Sequence, residues 1–100
     1  MTGRGIERLY IVYILTDDRN TVLYTGITSD LKRRIYQHRE RLLRGFTARY
    51  NVHRLVYYET FGEPTAAIAR EKQIKAGSRQ KKIDLINGFN PEWRDLYDEI

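Results

Sequence analysis

The feature that most constrains the fold is an unbroken run of β-branched and aromatic residues near the start of the chain, Leu9 to Leu15. Such residues favour extended backbone, and a continuous apolar run is typical of a strand that is buried on both faces. The run is too short to span a membrane as a helix. We therefore expect a sheet whose first strand lies in the interior of the domain.

The remainder of the chain alternates between strand and helix signals. In order, the predicted elements are a strand at 9–15, a strand at 22–27 across turn residues 16–21, a helix at 31–43 capped by 28–30, a loop at 45–51, a strand at 55–59, helices at 64–77 and 78–88, and a last amphipathic turn at 90–97. This order, ββαβααα, predicts an α+β fold with a small three-stranded, mostly antiparallel sheet flanked by helices. We expect residues 1–100 to form a single domain.

Composition limits the class of protein. One hundred residues can build one compact core, and 41% hydrophobic with 31% charged residues indicates a globular chain. The absence of cysteine excludes disulfides, thiolate nucleophiles and cysteine-type zinc sites. No apolar stretch follows the charges of residues 1–8, so no signal peptide is predicted. We expect a soluble, cytoplasmic protein with no membrane partner.

The net charge of +5 is concentrated in one stretch of the chain. Residues 1–30 hold three basic and four acidic groups, and residues 51–100 hold eight of each. Residues 31–50 hold seven basic groups, six of them Arg, against Glu40 alone. A clustered basic surface suits a polyphosphate partner, because each neutralised phosphate releases counterions and Arg has a planar fork for phosphate oxygens. A solvated basic helix is the alternative interpretation.

Two polar residues of the first predicted helix border its apolar stripe. Leu31, Ile35 and Leu42 define that stripe at helical spacing, and Arg34 and His38 lie beside it. A boundary Arg can extend its charge to solvent, and a boundary His is commonly a hydrogen-bonded structural residue. Each residue therefore allows a structural and a functional interpretation.

Glu71 is an acidic residue on the apolar side of a later predicted helix, and it also allows a structural and a functional interpretation. It lies three residues after Ile68 and three before Ile74, on the apolar side of the helix that begins at Pro64. Carboxylates are seldom buried unless they are paired or bind a cation. A salt bridge to Arg34 and a metal site are the two alternatives.

The hairpin brings two tyrosines together. If the turn centres on Asp18 and Arg19, Tyr13 lies directly opposite Tyr24, and Gly26 follows where a backbone or ligand comes close. We expect five side chains to converge at one end of the sheet, namely Tyr13, Tyr24, Arg34, His38 and Glu71. Such a set can orient or deprotonate water, stabilise a pentavalent phosphate and hold one divalent cation.

Five segments in this order resemble the GIY-YIG (URI) endonucleases, which include the N-terminal nuclease domain of the excinuclease C subunit. The segments are Ile11-Val12-Tyr13, Tyr24-Thr25-Gly26, Asp30-Leu31-Lys32-Arg33-Arg34, His38, and Glu71 within residues 69–75. Residues 45–50 and 55–59 are also similar to the short, single-domain bacterial members. The resemblance covers roughly residues 8–90, nearly the whole chain.

The chain departs from the family pattern at three positions of the hairpin. Ile11 stands where the signature has Gly, Thr25 where it has Ile, and Ile27 where repair-type relatives can carry Lys. None of these changes removes a catalytic group. We also expect no appended DNA-binding domain of the kind that usually gives relatives their target choice, so a protein partner is the expected source of targeting.

The resemblance implies hydrolysis of nucleic acid phosphodiesters, most simply of DNA, with one Mg²⁺ or Mn²⁺. Glu71 would bind the metal, Arg34 would stabilise charge on the phosphate oxygens, and Tyr13 would act as general base, with a relay through Tyr24 or His38. A tyrosine with its usual pKa of about 10 needs positive charge nearby to become a phenolate. The predicted nucleic acid contacts are Gly26, Lys32, Arg33, Arg41, Arg44, Thr47, Arg49 and Tyr50.

Three functions are therefore open at the level of sequence. The first is an active nuclease with a role in DNA repair or recombination. The second is a nucleic-acid-binding module with weak or lost catalysis, although a pure binder does not need Tyr13, Tyr24, Arg34 and Glu71 together. The third is an adaptor that docks on a partner through Trp93, Leu96 and Tyr97; the alternative is that this segment covers the sheet.

Overall fold

Three strands and four helices make up residues 8–100, the part of the chain that this computed structural model describes. The elements are β1 (Tyr10–Thr16), β2 (Leu23–Thr28), α1 (Leu31–Arg39), α2 (Phe46–Arg49), β3 (Arg54–Phe61), α3 (Pro64–Ala76), α4 (Arg79–Phe89) and a final 3-10 turn (Tyr97–Glu99). The strands form one antiparallel sheet in the order β2-β1-β3. The predicted α+β class is confirmed. Residues 1–7 lie outside the described residues, and with them most of the segment 1–8 in which no signal peptide is predicted.

Strand β1 is the centre of the domain, and both of its faces are buried, as its composition predicts. Ile11, Tyr13 and Leu15 pack on one face against α1 and the C-terminal segment. Val12 and Ile14 pack on the other face against α3 and α4. Every residue from Ile11 to Thr16 is less than a tenth exposed. The sheet is therefore the middle layer between two sets of covering elements.

The register of the hairpin differs from the prediction by two residues. Tyr13 pairs with Gly26, and Tyr24 pairs with Leu15. The connecting loop, residues 17–22, has the six residues of the predicted turn but is centred one residue later. Within it the carboxylate of Asp17 accepts hydrogen bonds from the backbone N–H groups of Thr21 and Val22, at 2.7 and 3.2 Å. A shift of two keeps every side chain on its own face. Tyr13 and Tyr24 therefore remain neighbours, as a diagonal pair with ring centroids 6.5 Å apart.

Gly26 is required by the ring of Tyr13, which lies across it. A Cβ atom built on Gly26 would lie 2.5 Å from Cζ of Tyr13 and still closer to its hydroxyl oxygen. Gly26 is itself buried. The missing side chain thus serves packing inside the site. The contact of Gly26 with nucleic acid stays a prediction.

Replacing Gly26 is expected to destabilise the domain. Gly26→Ala should lower the free energy of unfolding by about 1–3 kcal/mol, the usual cost of overpacking, because the ring of Tyr13 must move. Urea denaturation measures the change. Gly62→Ala is the matched control, since a Cβ there meets no atom within 4 Å. Equal stability of the two variants would contradict the close approach of Tyr13 to Gly26.

Helix α1 ends earlier than predicted. Its last turn closes with hydrogen bonds from the N–H of Leu42 to the carbonyl of Gln37 at 2.9 Å, and from Arg41 to His38 at 3.2 Å. Arg41 holds the left-handed conformation that glycine usually takes at this position, with φ 56°. The chain turns away there, so Leu42 is 62% exposed and does not belong to the predicted apolar stripe. Leu31, Ile35 and His38 form the buried face instead.

Two further elements differ from the predicted order ββαβααα. The loop predicted at residues 45–51 contains the four-residue helix α2, and the last amphipathic turn is a 3-10 turn. The C-terminal segment runs beside β3, where the N–H of Leu96 donates to the carbonyl of Leu55 at 2.8 Å and Asn90 Nδ2 donates to the carbonyl of Val56 at 3.2 Å. Leu96 is buried and Trp93 is half-buried. This segment covers the sheet, so its apolar residues are not free for docking.

Candidate active site

At the centre of the site the imidazole of His38 lies between two hydroxyl groups, those of Tyr13 and Thr47, within hydrogen-bonding distance of both. Nε2 of His38, from α1, lies 3.1 Å from the hydroxyl oxygen of Tyr13 on β1. Nδ1 of the same ring lies 3.0 Å from Oγ1 of Thr47 on α2. His38 is 4% exposed and Thr47 5% exposed. The three groups are therefore shielded from water and can exchange protons only with one another or with the site.

Burial keeps the side chains of Tyr13 and His38 uncharged. It raises the pKa of Tyr13 to about 12, with Tyr24 raising it further and Arg34 opposing the rise. Burial and then the charge of Arg34 lower the pKa of His38 to about 4. At neutral pH the imidazole is neutral, with one N–H donor and one acceptor nitrogen. One of the two hydroxyls therefore donates to His38 and the other accepts from it.

The two tyrosines differ in their access to solvent. Tyr13 is only 1% exposed, whereas Tyr24 on β2 is half-buried. The ring of Tyr24 lies 5.8 Å from that of His38 and 6.2 Å from that of Phe46, almost parallel to the latter. Tyr24 is therefore the tyrosine of the pair that faces outward.

Arg34 lies beside both members of the buried pair. It is half-buried on α1, one turn before His38, and its charge acts on the pKa values of Tyr13 and His38. Among residues 8–100 no carboxylate forms an ion pair with it. The guanidinium of Arg34 therefore lies at the site with no ion-pair partner among the carboxylates of residues 8–100.

Glu71 reaches the site from α3. It lies on the buried side of the helix with Ala67 and Ile74, while Ile68 is 44% exposed, which corrects the predicted stripe. Its side chain is 15% exposed, and its carboxylate lies 3.0 Å from Nζ of Lys75. The predicted alternative of a salt bridge to Arg34 is therefore wrong. The negative charge of Glu71 contributes to the raised pKa of Tyr13, so the two groups share one electrostatic environment.

Some of the basic residues of the stretch 31–50 have partners within the protein. Nζ of Lys32 donates to the carbonyl of Tyr97 at 3.1 Å, Arg39 forms an ion pair with Asp95 at 2.8 Å, and Arg41 donates to the side chain of Asn51 at 2.8 Å. Arg33, Arg44 and Arg49 are exposed and form no ion pair with a carboxylate of residues 8–100. These three are therefore the better candidates for phosphate contacts.

Two features of the site were not predicted. Thr47 points inward to His38, where a nucleic acid contact was expected, because α2 turns its short polar face to the site. Phe46 was not singled out, yet its ring is half-exposed and stacks beside Tyr24. The sequence signal was the spacing of Phe46, Thr47 and Tyr50, which indicates one helical turn with the aromatic residues on one side.

The fold and this arrangement define a class of protein. Residues 9–84 match the family described as the GIY-YIG catalytic domain, and the chain belongs to that family. The resemblance drawn from the signature residues is thus confirmed.

The chain is similar to other short proteins. A UPF0213 protein of Staphylococcus saprophyticus is 35% identical over 82 residues, which cover 82% of this chain and 98% of the relative. A UPF0213 protein of the archaeon Haloquadratum walsbyi is 34% identical, over 76% of this chain and 83% of the relative. The solution structure of a UPF0213 protein from Bacillus halodurans superimposes with a TM-score of 0.56 at 28% identity, over 88% of this chain and 93% of that one. Within residues 8–100, no helix has the length and apolar character needed to cross a membrane.

Proposed function

We propose that this protein is a metal-dependent endonuclease that hydrolyses phosphodiester bonds of DNA. The observation that carries the proposal is the gathering of Tyr13, Tyr24, Arg34, His38 and Glu71, which come from four separate elements, into one electrostatic environment. A structural core has no need for an arginine without an acidic partner beside a buried tyrosine and histidine. A role in repair or recombination, and a cytoplasmic location, stay predictions.

The residues fit a single Mg²⁺ or Mn²⁺. Among residues 8–100 no group of three or more His, Asp or Glu side chains is placed to hold a metal. Magnesium sites on nucleic acid enzymes commonly use one or two carboxylates together with substrate phosphate and water, so Glu71 alone suits this mode of binding. A bound cation would place positive charge beside the scissile phosphate and the tyrosines.

The pKa values of Tyr13 and His38 give a physical reason why the proposed reaction needs a divalent cation. Burial raises the pKa of Tyr13 to about 12 and lowers that of His38 to about 4, so transfer of a proton from Tyr13 to His38 is unfavourable in the free protein. Arg34 lowers the pKa of Tyr13 but does not offset its burial. Further positive charge beside Tyr13 is needed before its phenolate becomes accessible.

The different solvent exposure of Tyr13 and Tyr24 suggests different roles for them. We assign the contact with the attacking water to Tyr24, because Tyr13 is 1% exposed and cannot meet water without movement of the side chains that cover it. Tyr13, His38 and Thr47 then form a buried hydrogen-bonded group behind Tyr24, in which one of the two hydroxyls donates to His38 and the other accepts from it. This changes the hypothesis from sequence, in which Tyr13 itself contacts the water.

The test of the proposal is cleavage of circular DNA. Purified protein is incubated with supercoiled plasmid and with single-stranded circular DNA, each with Mn²⁺ and with excess chelator. Nicked or linear products with Mn²⁺ and none with chelator are expected. Binding without cleavage of either circle would favour the second function, a nucleic-acid-binding module.

Affinity for DNA is expected to depend on the exposed arginines of residues 31–50. If Arg33, Arg34, Arg44 and Arg49 each neutralise a phosphate, log K against log salt has a slope of about −3 to −4 on duplex, at about 0.9 per contact. Changing Arg33, Arg44 and Arg49 together to Gln should make that slope shallower by about 2.5. Arg41 is left unchanged because it bonds Asn51.

The matched control neutralises three exposed basic residues elsewhere. Arg19, Lys72 and Lys81 form no ion pair with a carboxylate of residues 8–100. Their combined change to Gln lowers the net charge by the same amount and is expected to alter the slope by less than about one. A larger loss of salt dependence in the control than in the Arg33, Arg44 and Arg49 variant would show that the binding face has been misplaced.

A further inference from the structure

Three aromatic rings form a row that leads outward from the site. The ring of Tyr24 lies nearly parallel to that of Phe46, with centroids 6.2 Å apart and an interplanar angle of 23°. The ring of Phe46 in turn lies 4.9 Å from that of Tyr50. Phe46 and Tyr50 are each 48% exposed. The row therefore starts at a proposed catalytic residue and ends on the surface.

Helix α2 is anchored through Thr47 and leaves these rings partly exposed. Thr47 is buried against His38, and the N–H of Val52, which is also buried, donates to the carbonyl of Thr47 at 2.8 Å. Phe46 and Tyr50, four residues apart, are each about half exposed. A short helix that buries a threonine and exposes two aromatic rings reverses the usual placement of polar and apolar groups. Folding alone does not explain this arrangement.

The charge around the rings is positive. The guanidinium carbon of Arg49 lies 5.7 Å from the centre of the Tyr50 ring, and the exposed Arg44 precedes α2 by two residues. Between positions 41 and 58 the sequence contains no acidic residue. Flat rings beside exposed arginines are the combination that binds single-stranded nucleic acid, in which bases stack on aromatic side chains while basic groups follow the phosphates.

We propose that Phe46 and Tyr50 form a stacking platform for an unpaired nucleobase next to the scissile phosphate. A base inside a duplex is already stacked on both faces, so these rings can receive only a base that is single-stranded or displaced from its pair. A stacked strand rises about 3.4 Å per nucleotide, so rings spaced 6.2 and 4.9 Å apart lie at most about three nucleotides from Tyr24. The inference rests on the proposed function and specifies its substrate as a strand that is unpaired at the point of cleavage.

The test uses fluorescence of DNA strands that carry 2-aminopurine at one position, bound to the full chain in excess chelator so that no cleavage is needed. Stacking on an aromatic ring quenches this base. We expect quenching with the single strand and none with the duplex. Phe46→Leu and Tyr50→Leu should each remove the quenching and weaken single-strand binding about 5- to 100-fold, while duplex binding changes less than two-fold. The same strand made of RNA identifies the preferred sugar, and quenching of either strand supports the platform.

Two further variants separate stacking from folding. Phe46→Trp keeps an aromatic face and should keep the quenching. Tyr36→Leu removes a ring that is 50% exposed on the other side of α1 and should change nothing. The inference is overturned if the leucine variants bind single strands as well as the wild type does, or if they weaken single-strand and duplex binding equally. The quenching assay is run in chelator and does not depend on cleavage. A protein that quenches 2-aminopurine but cleaves no DNA with Mn²⁺ would therefore contradict only the nuclease proposal. Leucine variants that cleave DNA as the wild type does would contradict only the platform.

Discussion

Glu71→Gln is expected to abolish metal-dependent cleavage while binding to a DNA oligonucleotide stays within about two-fold of wild type. The amide keeps the shape of the side chain but removes the charge that would hold the cation. Charge stabilisation by a catalytic metal is worth several kcal/mol, and 1.36 kcal/mol is tenfold, so we expect a loss of at least about 10³-fold in the single-turnover rate.

Two controls separate this role from other roles of the carboxylate. Glu63→Gln changes an exposed carboxylate directly before the same helix and should leave the rate unchanged. Lys75→Gln removes the ion pair of Glu71 and should also leave substantial cleavage. If Lys75→Gln is as inactive as Glu71→Gln, the carboxylate matters for its salt bridge. Substantial cleavage by Glu71→Gln itself would remove Glu71 from the site.

Arg34→Lys is expected to be nearly as damaging as Arg34→Ala. The guanidinium can donate two parallel hydrogen bonds to phosphate oxygens, whereas an ammonium acts as a point charge on a flexible stem. Loss of one preorganised donor to a developing negative charge typically costs about 10²–10³-fold in rate. We expect that loss in the alanine variant and a rate within about tenfold of it in the lysine variant.

The neighbouring Arg33 provides the control for the charge of Arg34. Arg33 is exposed on α1, so Arg33→Lys should bind and cleave DNA as the wild type does. Single-turnover rates at saturating protein distinguish chemistry from binding. An Arg34→Lys variant within a few-fold of wild type would show that charge is sufficient and that the planar fork is not required.

The parts of the fold that could be predicted are those fixed by local pattern. The buried run in β1, the proline at the start of α3 and the side-chain cap at Ser78 each specify their element directly. The hairpin register was wrong by two because the loop, in which Asp17 accepts hydrogen bonds from Thr21 and Val22, is centred one residue later than predicted. The error was harmless for the site, since a shift of two keeps Tyr13 and Tyr24 on one face.

The end of α1 could not be predicted, because the residue that stops it gives no signal. Arg41 takes a left-handed conformation that sequence patterns assign to glycine, and Leu42 continues the helical spacing beyond the point where the helix ends. Helix α2 lies at Phe46–Arg49, where the basic and aromatic composition predicts a loop. The burial of Thr47 and the stacking of Phe46 beside Tyr24 could therefore not be predicted.

The candidate site came from the family resemblance more than from physical pattern. Spacing alone left Arg34, His38 and Glu71 with structural and functional interpretations. What sequence could not provide is the burial of each group. The covering of Tyr13 and the solvent-facing position of Tyr24 depend on how α1 and α2 pack on the sheet, and they decide which tyrosine can meet water.

The central claim is that the two tyrosines belong to an active centre, and removal of single hydroxyl groups tests it most directly. The measurement is the single-turnover rate of cleavage of a labelled DNA strand, at saturating Mn²⁺, by Tyr13→Phe, Tyr24→Phe and Tyr58→Phe. Tyr58 pairs directly with Tyr13 across the sheet, so its change is a matched control. We predict that the first two variants lose about 10²–10⁴-fold, the usual contribution of general acid–base catalysis, and that Tyr58→Phe stays within two-fold of wild type. Wild-type rates in both Tyr13→Phe and Tyr24→Phe would contradict the claim.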